Sequence, residues 1–438
     1  MNRLRRQLTG RTIGVITSVR AAGITSMRAT ALTAALTTVL TGLVLQGCQQ
    51  LQRRSTLFIY LVPPNDAEEV VSRKQLNKLW APVMDAYREL EPNVQLELQV
   101  IPEAGIFEQL QRRNSHGFGP DLVIVNANLA MELRQRGLIR PIPLSRSLAE
   151  SIEPTALARL KTAEGLAALP LVWSPQLSCY NRSRIAKPPS TVSDLLSLAA
   201  GGHRIGISFD PAGLWWSAGA LGAENSLATL LSPSKQSLQP AERQALLAWM
   251  QWLQKIAMHS QVNIYANDLM LTEAFQRGQL DWIPCSSLSL HSLSNGLGAK
   301  LGVAVLPSGP GGGPSPNSRM RVLGFGPNSS ARQFQAAKTL AELILNPLMQ
   351  RYMSLSDTQS LPVNRHALPP VANSALLKTL VAAQRQFQQN APLQKLSLSL
   401  SKQQQIRQVF SRELTPMMVG EISPAAATDN LIEKLRQR

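Results

Sequence analysis

The sequence predicts an α/β protein built on mainly parallel sheets flanked by helices. Three observations predict it. Short apolar runs of strand length alternate with longer segments whose apolar residues recur at helical spacing. The chain has 438 residues, 44% of them hydrophobic and 16% charged, which is enough to bury the cores of two domains and excludes wholesale disorder. Its three cysteines and five scattered histidines exclude a disulfide scaffold and any Cys-rich zinc architecture.

Each element follows from its own pattern. Residues 57–62 (L-F-I-Y-L-V) read as a buried strand. Residues 73–90 read as an amphipathic helix, with Leu76, Leu79, Trp80, Val83, Met84 and Tyr87 at helical spacing. Residues 94–101 alternate like a strand, 106–113 form a short helix, 121–125 are another buried strand, and 129–136 a helix stopped by Gly137. Ligands of such sheets bind at the carboxyl ends of strands. Those ends carry Pro63-Pro64-Asn65-Asp66 and Asn126-Ala127-Asn128. A second unit begins near Pro170. Pro188-Pro189-Ser190-Thr191 leads into a helix at 192–200, 204–209 is a strand, and 240–259 a long amphipathic helix. The strand 301–306 ends in Pro307-Ser308-Gly309-Pro310-Gly311-Gly312-Gly313-Pro314, the most obvious flexible loop of the chain. Helices follow at 331–345 and across the C-terminal third, and Ser423-Pro424 supplies a cap and first position for the last one.

The N-terminus has export anatomy. The formal charge is +17; the six arginines of residues 1–47 (Arg3, Arg5, Arg6, Arg11, Arg20 and Arg28), which no acid accompanies, leave +11 on the rest. Residues 29–45 are uncharged and rich in Ala, Leu and Thr, and they follow the arginines as the apolar core of a signal peptide follows its basic region. The run ends in Leu45-Gln46-Gly47-Cys48, which resembles the lipobox of bacterial lipoproteins. There the cysteine thiol takes the lipid, and the small residue before it lets the signal peptidase cut. Residues 1–47 are therefore expected to be a lipoprotein signal peptide, Cys48 the lipidation site, and 48–56 a tether. Met27-Arg28 would begin a compact signal by itself, which makes Met27 a candidate initiator. Outside the cytoplasm Cys179 and Cys285 could pair, but each sits in an apolar segment, and free, buried thiols are the favoured expectation.

The chemistry missing from the sequence narrows its function. His116, His203, His259, His291 and His366 lie far apart and show no metal-ligand spacing. No phosphate-loop, dinucleotide or nucleophile-elbow fingerprint occurs, so no cofactor, no metal and no catalytic residue are expected. Asp66, Glu68 and Glu69 read as a solvated loop or helix start. No dense Lys/Arg run with interleaved aromatics points to nucleic acid.

An ordered series of segments is similar to family 1 extracellular solute-binding proteins, the maltose-binding-like receptors of bacterial ABC importers. It comprises Gly119-Pro120-Asp121-Leu122-Val123-Ile124 followed by Gly137-Leu138-Ile139; Leu169-Pro170, Tyr180-Asn181 and Pro188-Pro189-Ser190-Thr191 with Leu195; Ala274-Phe275-Gln276-Arg277-Gly278-Gln279; Gly302-Val303-Ala304-Val305-Leu306-Pro307; and Gly420-Glu421-Ile422-Ser423-Pro424. The resemblance spans roughly residues 57–436. It implies a two-lobed, periplasmic-binding-protein-like clamshell, with the first lobe at 57–168 plus 306–356 and the second at 169–300 plus 360–438. It also implies a monomer that binds a small polar solute, carbohydrate by family default, and closes on it for a membrane permease.

The family's ligand positions carry over residue by residue. After Gly119-Pro120-Asp121, where sugar-binding members place an aromatic and an acid–base pair, this chain has Val125, Asn128 and Leu129, with Asn126 and Asn128 still able to donate and accept. A position often acidic in the crossover after Pro170 is Ser174. The family's N-G-P-W after the Phe275–Gly278 block corresponds to Cys285-Ser286-Ser287-Leu288, so the stacking tryptophan is absent and Ser286 and Ser287 take the cleft positions. Trp215 and Trp216 stand where a second-lobe aromatic often stacks on ligand; neighbours point different ways, so one packs inward if the other faces the cleft. Phe325, between two glycines, is a candidate for the cleft floor. The substituted cleft leaves one rival, a non-transporting sensor or partner-binding lipoprotein on the same fold. An exported enzyme on this architecture would lack any paired acid–base or nucleophile constellation.

Overall fold

The computed structural model describes residues 54–63, 73–232, 237–356, 359–389 and 400–436. The signal peptide with Met27, the lipobox Cys48, most of the tether, and Asp66, Glu68 and Glu69 lie outside the described residues.

The strands in chain order are β1 (Ser55–Leu61), β2 (Val94–Val100), β3 (Leu122–Asn126), the short hairpin β4 (Lys161–Thr162) and β5 (Gly165–Leu166), β6 (Leu169–Ser174), β7 (Gln176–Asn181), β8 (Ile205–Ser208), β9 (Val262–Tyr265), β10 (Trp282–Ser286), β11 (Leu301–Ala304), β12 (Arg319–Phe325) and β13 (Leu361–Pro362). Six of them form one sheet in the order β13-β6-β12-β3-β1-β2, and five form another in the order β11-β7-β10-β8-β9. Each sheet is the centre of one lobe.

The helices end where local chemistry ends them. Thr191 and Asp194 close a capping box on Val192–Ala200, Ser330 and Gln333 another on Ala331–Leu345, and Asn267 caps Asp268–Gln276. Ser423 accepts from the Ala426 amide at the start of Pro424–Arg436. The helix after β3, Ala127–Gln135, is followed by Gly137 at φ 69°, a left-handed conformation that favours glycine. Apolar faces of these helices cover the sheets. Leu57, Val83, Tyr87, Leu110, Leu122 and Leu340 are buried in the first lobe, and Leu195, Ile207, Trp249, Trp282, Phe410 and Leu431 in the second.

The sheets are mixed rather than mainly parallel, and the chain's path explains it. β2 and β3 run parallel to β1, and β9 and β10 parallel to β8, as helix-linked strands do. A strand that enters a lobe from the other one must run the opposite way. So β12 is antiparallel to β3, and β7 antiparallel to β10. The expected lobe boundary also moves. Residues 169–174 pair with β12 inside the first sheet, and β13 pairs with them on their other side, so the chain first crosses at Pro175, between β6 and β7.

Two further expectations are corrected. Cys179 and Cys285 are not free thiols but a disulfide, with Cα atoms 5.8 Å apart. The antiparallel register sets Cys179 opposite Ile283 on β10, and Cys285 lies two residues further along the same face. Such bonds persist in oxidising compartments. The Pro/Gly segment after β11 is not a free loop. The Ser308 amide donates to Ser190 O, the Gly311 amide to Ala220 O and the Ser315 amide to Trp216 O. A Cβ on Gly311 would meet the Gly222 amide nitrogen at 2.0 Å, so glycine here permits a backbone-to-backbone contact.

Candidate functional site

The parallel strands of both sheets point their carboxyl ends toward the crossing at Pro175. The cleft between the lobes is therefore bounded by the ends of β1, β3 and β6 on one side and of β8, β9 and β10 on the other. The amino end of β12 lies with the first set, because Arg321 pairs opposite Asn126 and Arg319 opposite Ser174.

The anticipated residues divide. Asn126 and Asn128 sit at the end of β3, both half-buried. Asn126 is also the helix cap, its Oδ1 accepting from the Leu129 amide at 2.8 Å, which leaves its amide group for other partners. Ser174 is 1% exposed and its hydroxyl makes no hydrogen bond. Ser286 accepts from the Leu288 amide and ends β10 at the cleft. Ser287 is spent on the crossing: its hydroxyl donates to Gln359 O at 2.5 Å, and its amide donates to Pro175 O at 3.0 Å. Trp215 lies half-buried on Pro211–Ala220, with no hydrogen bond at Nε1.

Trp216 and Phe325 do not belong to the cleft. Trp216 has no exposed surface and packs against Trp252 and Trp282, each ring 6.0 Å away, because the helix turns it onto the second-lobe core. Phe325 is buried beside Phe334 and pairs opposite Leu122, at the start of β3. Antiparallel β12 carries it to the end of the sheet remote from the cleft.

What the sequence reading missed is charge. Asp210 follows β8, Asp268 opens the helix after β9, Arg319 and Arg321 lie on β12, and Arg407 lies on Leu400–Met418. That helix packs in the second lobe and also touches Ala127–Gln135 of the first. An Arg319 guanidinium nitrogen stands 3.6 Å from an Asp268 carboxylate oxygen, an ion pair that joins the lobes. Arg407 pairs with Asp210 at 3.3 Å. Arg321 donates to Val62 O at 2.7 Å and to Ile124 O at 3.2 Å, tying together the ends of β1 and β3, while its Nη1 has no hydrogen-bond partner.

Burial dominates the electrostatics. It pulls Arg321 down to about 10, with Glu103 opposing, and Arg319 down to about 10, helped by the like charge of Arg407. Both guanidiniums stay charged at neutral pH. Burial also pushes Asp268 up to about 6; the Ser208 hydroxyl and Arg407 lower it, and Asp210 raises it. The signals for these residues were a strand–acid–helix step at Asp210-Pro211 and the alternation Arg319-Met320-Arg321, whose two arginines share one side of a strand.

The hinge is braced separately. The Gln176 side chain accepts from the Asn317 amide and donates to Gly213 O, and Trp173 packs on Phe387 at 5.2 Å. Two α/β lobes that meet at such crossings and set polar strand ends against each other define a solute-capturing binding protein. The sequence profile of the bacterial extracellular solute-binding proteins matches residues 83–379, and the chain belongs to that family. No curated protein sequence matches it. Among solved structures, it is similar to a cyclo/maltodextrin-binding protein complexed with maltotetraose (16% identity, 89% of this chain and 98% of that one, TM-score 0.68). It is also similar to the GacH receptor of Streptomyces glaucescens, solved unliganded and with acarbose (15% identity, 88% and 98%, 0.67). A third is an ABC transporter solute-binding protein of Thermotoga lettingae bound with α-D-tagatose (15% identity, 87% and 99%, 0.63).

Proposed function

We propose that the protein is an extracytoplasmic lipoprotein that captures a carbohydrate between its lobes and delivers it, by hinge closure, to the permease of an ABC importer. The observation that carries the reading is the pairing of planar charged groups across the cleft, with Arg319 from the first lobe and Asp268 from the second. Guanidinium and carboxylate groups grip vicinal hydroxyls in two-pronged fashion, and Asn126, Asn128 and Ser174 add donors and acceptors beside them. The half-buried Trp215 offers an aromatic body with a polar tip. The sugars bound by three structural neighbours agree with this choice of ligand. Cys48 is the proposed lipid anchor.

Thermal denaturation against a panel of maltodextrins, monosaccharides, amino acids and polyamines tests it. A sugar at a hundred times its Kd should add about 2.7 kcal/mol to stability, and Trp215→Ala should reduce that gain. A panel in which only amino acids or polyamines raise the melting temperature would overturn the carbohydrate assignment. Cys48→Ser should abolish lipid labelling, and deletion of the gene should stop uptake of the sugar found.

A further inference from the structure

The end of the first lobe opposite the cleft carries a basic surface that the solute-binding reading does not use. Several segments meet there. The amide of Asp121 donates to Phe58 O, the Ser329 hydroxyl donates to the Asp121 carboxylate, and the Gln333 side chain donates to Thr56 O. The Asn114 side chain donates to Leu138 O. These contacts gather the start of β1, the loop before β3, the end of the helix Ile106–Ser115 and the start of Ala331–Leu345 into one pole. Arg112, Arg113 and Arg332 project from it exposed, and Arg140 lies half-buried with its guanidinium 4.2 Å from the Phe334 ring centroid. None of the four pairs with a carboxylate among the described residues. Phe118, 76% exposed, stands beside them.

The acids of this pole are mostly engaged. Asp121 is buried and bonded to the Phe58 amide, Glu132 pairs with Arg136 and Glu164 with Arg134. Glu89 and Glu91 lie at the end of Arg73–Leu90, beside the start of β2 on the side of β1 away from β3. An exposed ring amid uncompensated guanidiniums is the composition that settles on an anionic bilayer surface, with the charge drawn to headgroups and the ring into the interface.

We infer that this pole docks on the anionic lipid surface of the membrane to which the chain is tethered. The inference rests on the lipid-anchor reading of Cys48, and chain length supports it. Cys48 lies seven residues before Ser55, the first residue of β1, and seven extended residues span at most about 25 Å. β1 starts at this pole and runs toward the cleft. A lipid on Cys48 therefore holds these arginines, rather than the second lobe, next to the headgroups. Docking leaves the cleft free to face solvent or a permease.

The test uses the full, lipid-bearing chain in vesicles of phosphatidylcholine alone and of phosphatidylcholine with 30% phosphatidylglycerol, about the anionic content that sets a strong surface potential. Flotation with both vesicle types reports the anchor. Amide hydrogen exchange over residues 110–119 and 326–333 reports the pole. The expected result is flotation with both, and at least about fivefold slower exchange of the two segments on the anionic vesicles only, lost at high salt and in an Arg112→Gln/Arg113→Gln/Arg332→Gln variant. All three positions are exposed, so the variant should keep the wild-type melting temperature. Flotation with identical exchange on both vesicle types, or protection that survives the triple substitution, overturns the docking. Failure to float with pure phosphatidylcholine overturns the anchor on which it rests.

Discussion

At the scale of single residues, the cleft's behaviour turns on Asp268. Its folded pKa of about 6 lies above its ordinary 3.8, so the folded protein holds that proton more tightly than the unfolded chain does. The stability this residue contributes is complete below about pH 4 and is lost as pH rises through 6. Asp268→Asn imitates the protonated form. It should therefore stabilise the protein at pH 8 by about 1–2 kcal/mol, discounted because the carboxylate stays 29% exposed and gains from Arg319, and the advantage should vanish by pH 4. Melting temperatures of both proteins across that range check it; an offset that does not change with pH would refute the assignment. The same residue shows why the site was only partly legible. Asn126 and Asn128 could be found because they follow a strand directly in sequence. Arg319 and Arg321 reach the cleft only through the antiparallel register of β12, which no local pattern encodes. That register also removed Phe325, which glycines on both sides had made look like a cleft residue.

At the scale of elements, helices were legible almost to the residue because capping chemistry is local: Arg73–Leu90, Val192–Ala200 and Ala331–Leu345 begin and end where periodicity and caps place them. Strand direction was not, since β7 and β12 take their direction from which lobe the chain has just left. The same non-local register makes the disulfide between β7 and β10. It closes a loop of 106 residues, and its loss should cost about 2–5 kcal/mol; a Cys179→Ser/Cys285→Ser variant should melt well below the wild type, and reductant should lower the wild type toward it. An unchanged melting temperature in both experiments would show that the second sheet needs no bond there. The glycine-rich crossing yields a sharper contrast. Gly311→Ala forces a Cβ to 2.0 Å from a backbone nitrogen and should destabilise by several kcal/mol, roughly the overpacking range. Gly312→Ala meets nothing within 4 Å and pays only for its φ of +131°. Equal losses at the two positions would mean that the segment is not held against Pro211–Ala220 as described.

At the scale of the whole molecule, the lobes share buried apolar contacts near the crossings, and charge across the cleft adds to them. The Arg319–Asp268 pair joins them directly, with the two side chains 28% and 29% exposed. A pair so placed is worth about 0.5–1 kcal/mol, which shifts an open–closed ratio by about two- to fivefold. Arg319→Ala should therefore raise the population of open molecules in the absence of solute, seen as a larger radius of gyration in small-angle scattering, while a saturating solute returns the variant to the wild-type value. The two halves of that outcome separate two roles. If Arg319 only holds the lobes, the variant binds its solute several-fold more weakly but closes fully once bound. If it also grips the solute, the loss of affinity exceeds what the shift in the free protein accounts for, because a ligand can move the equilibrium only by its differential affinity for the two states. Salt provides the control: near 1 M the Debye length falls to about 3 Å, and the unliganded wild type should expand toward the variant. A variant whose scattering matches the wild type at every salt concentration would show that the hinge bracing at Gln176 and Trp173, rather than charge across the cleft, sets the resting angle.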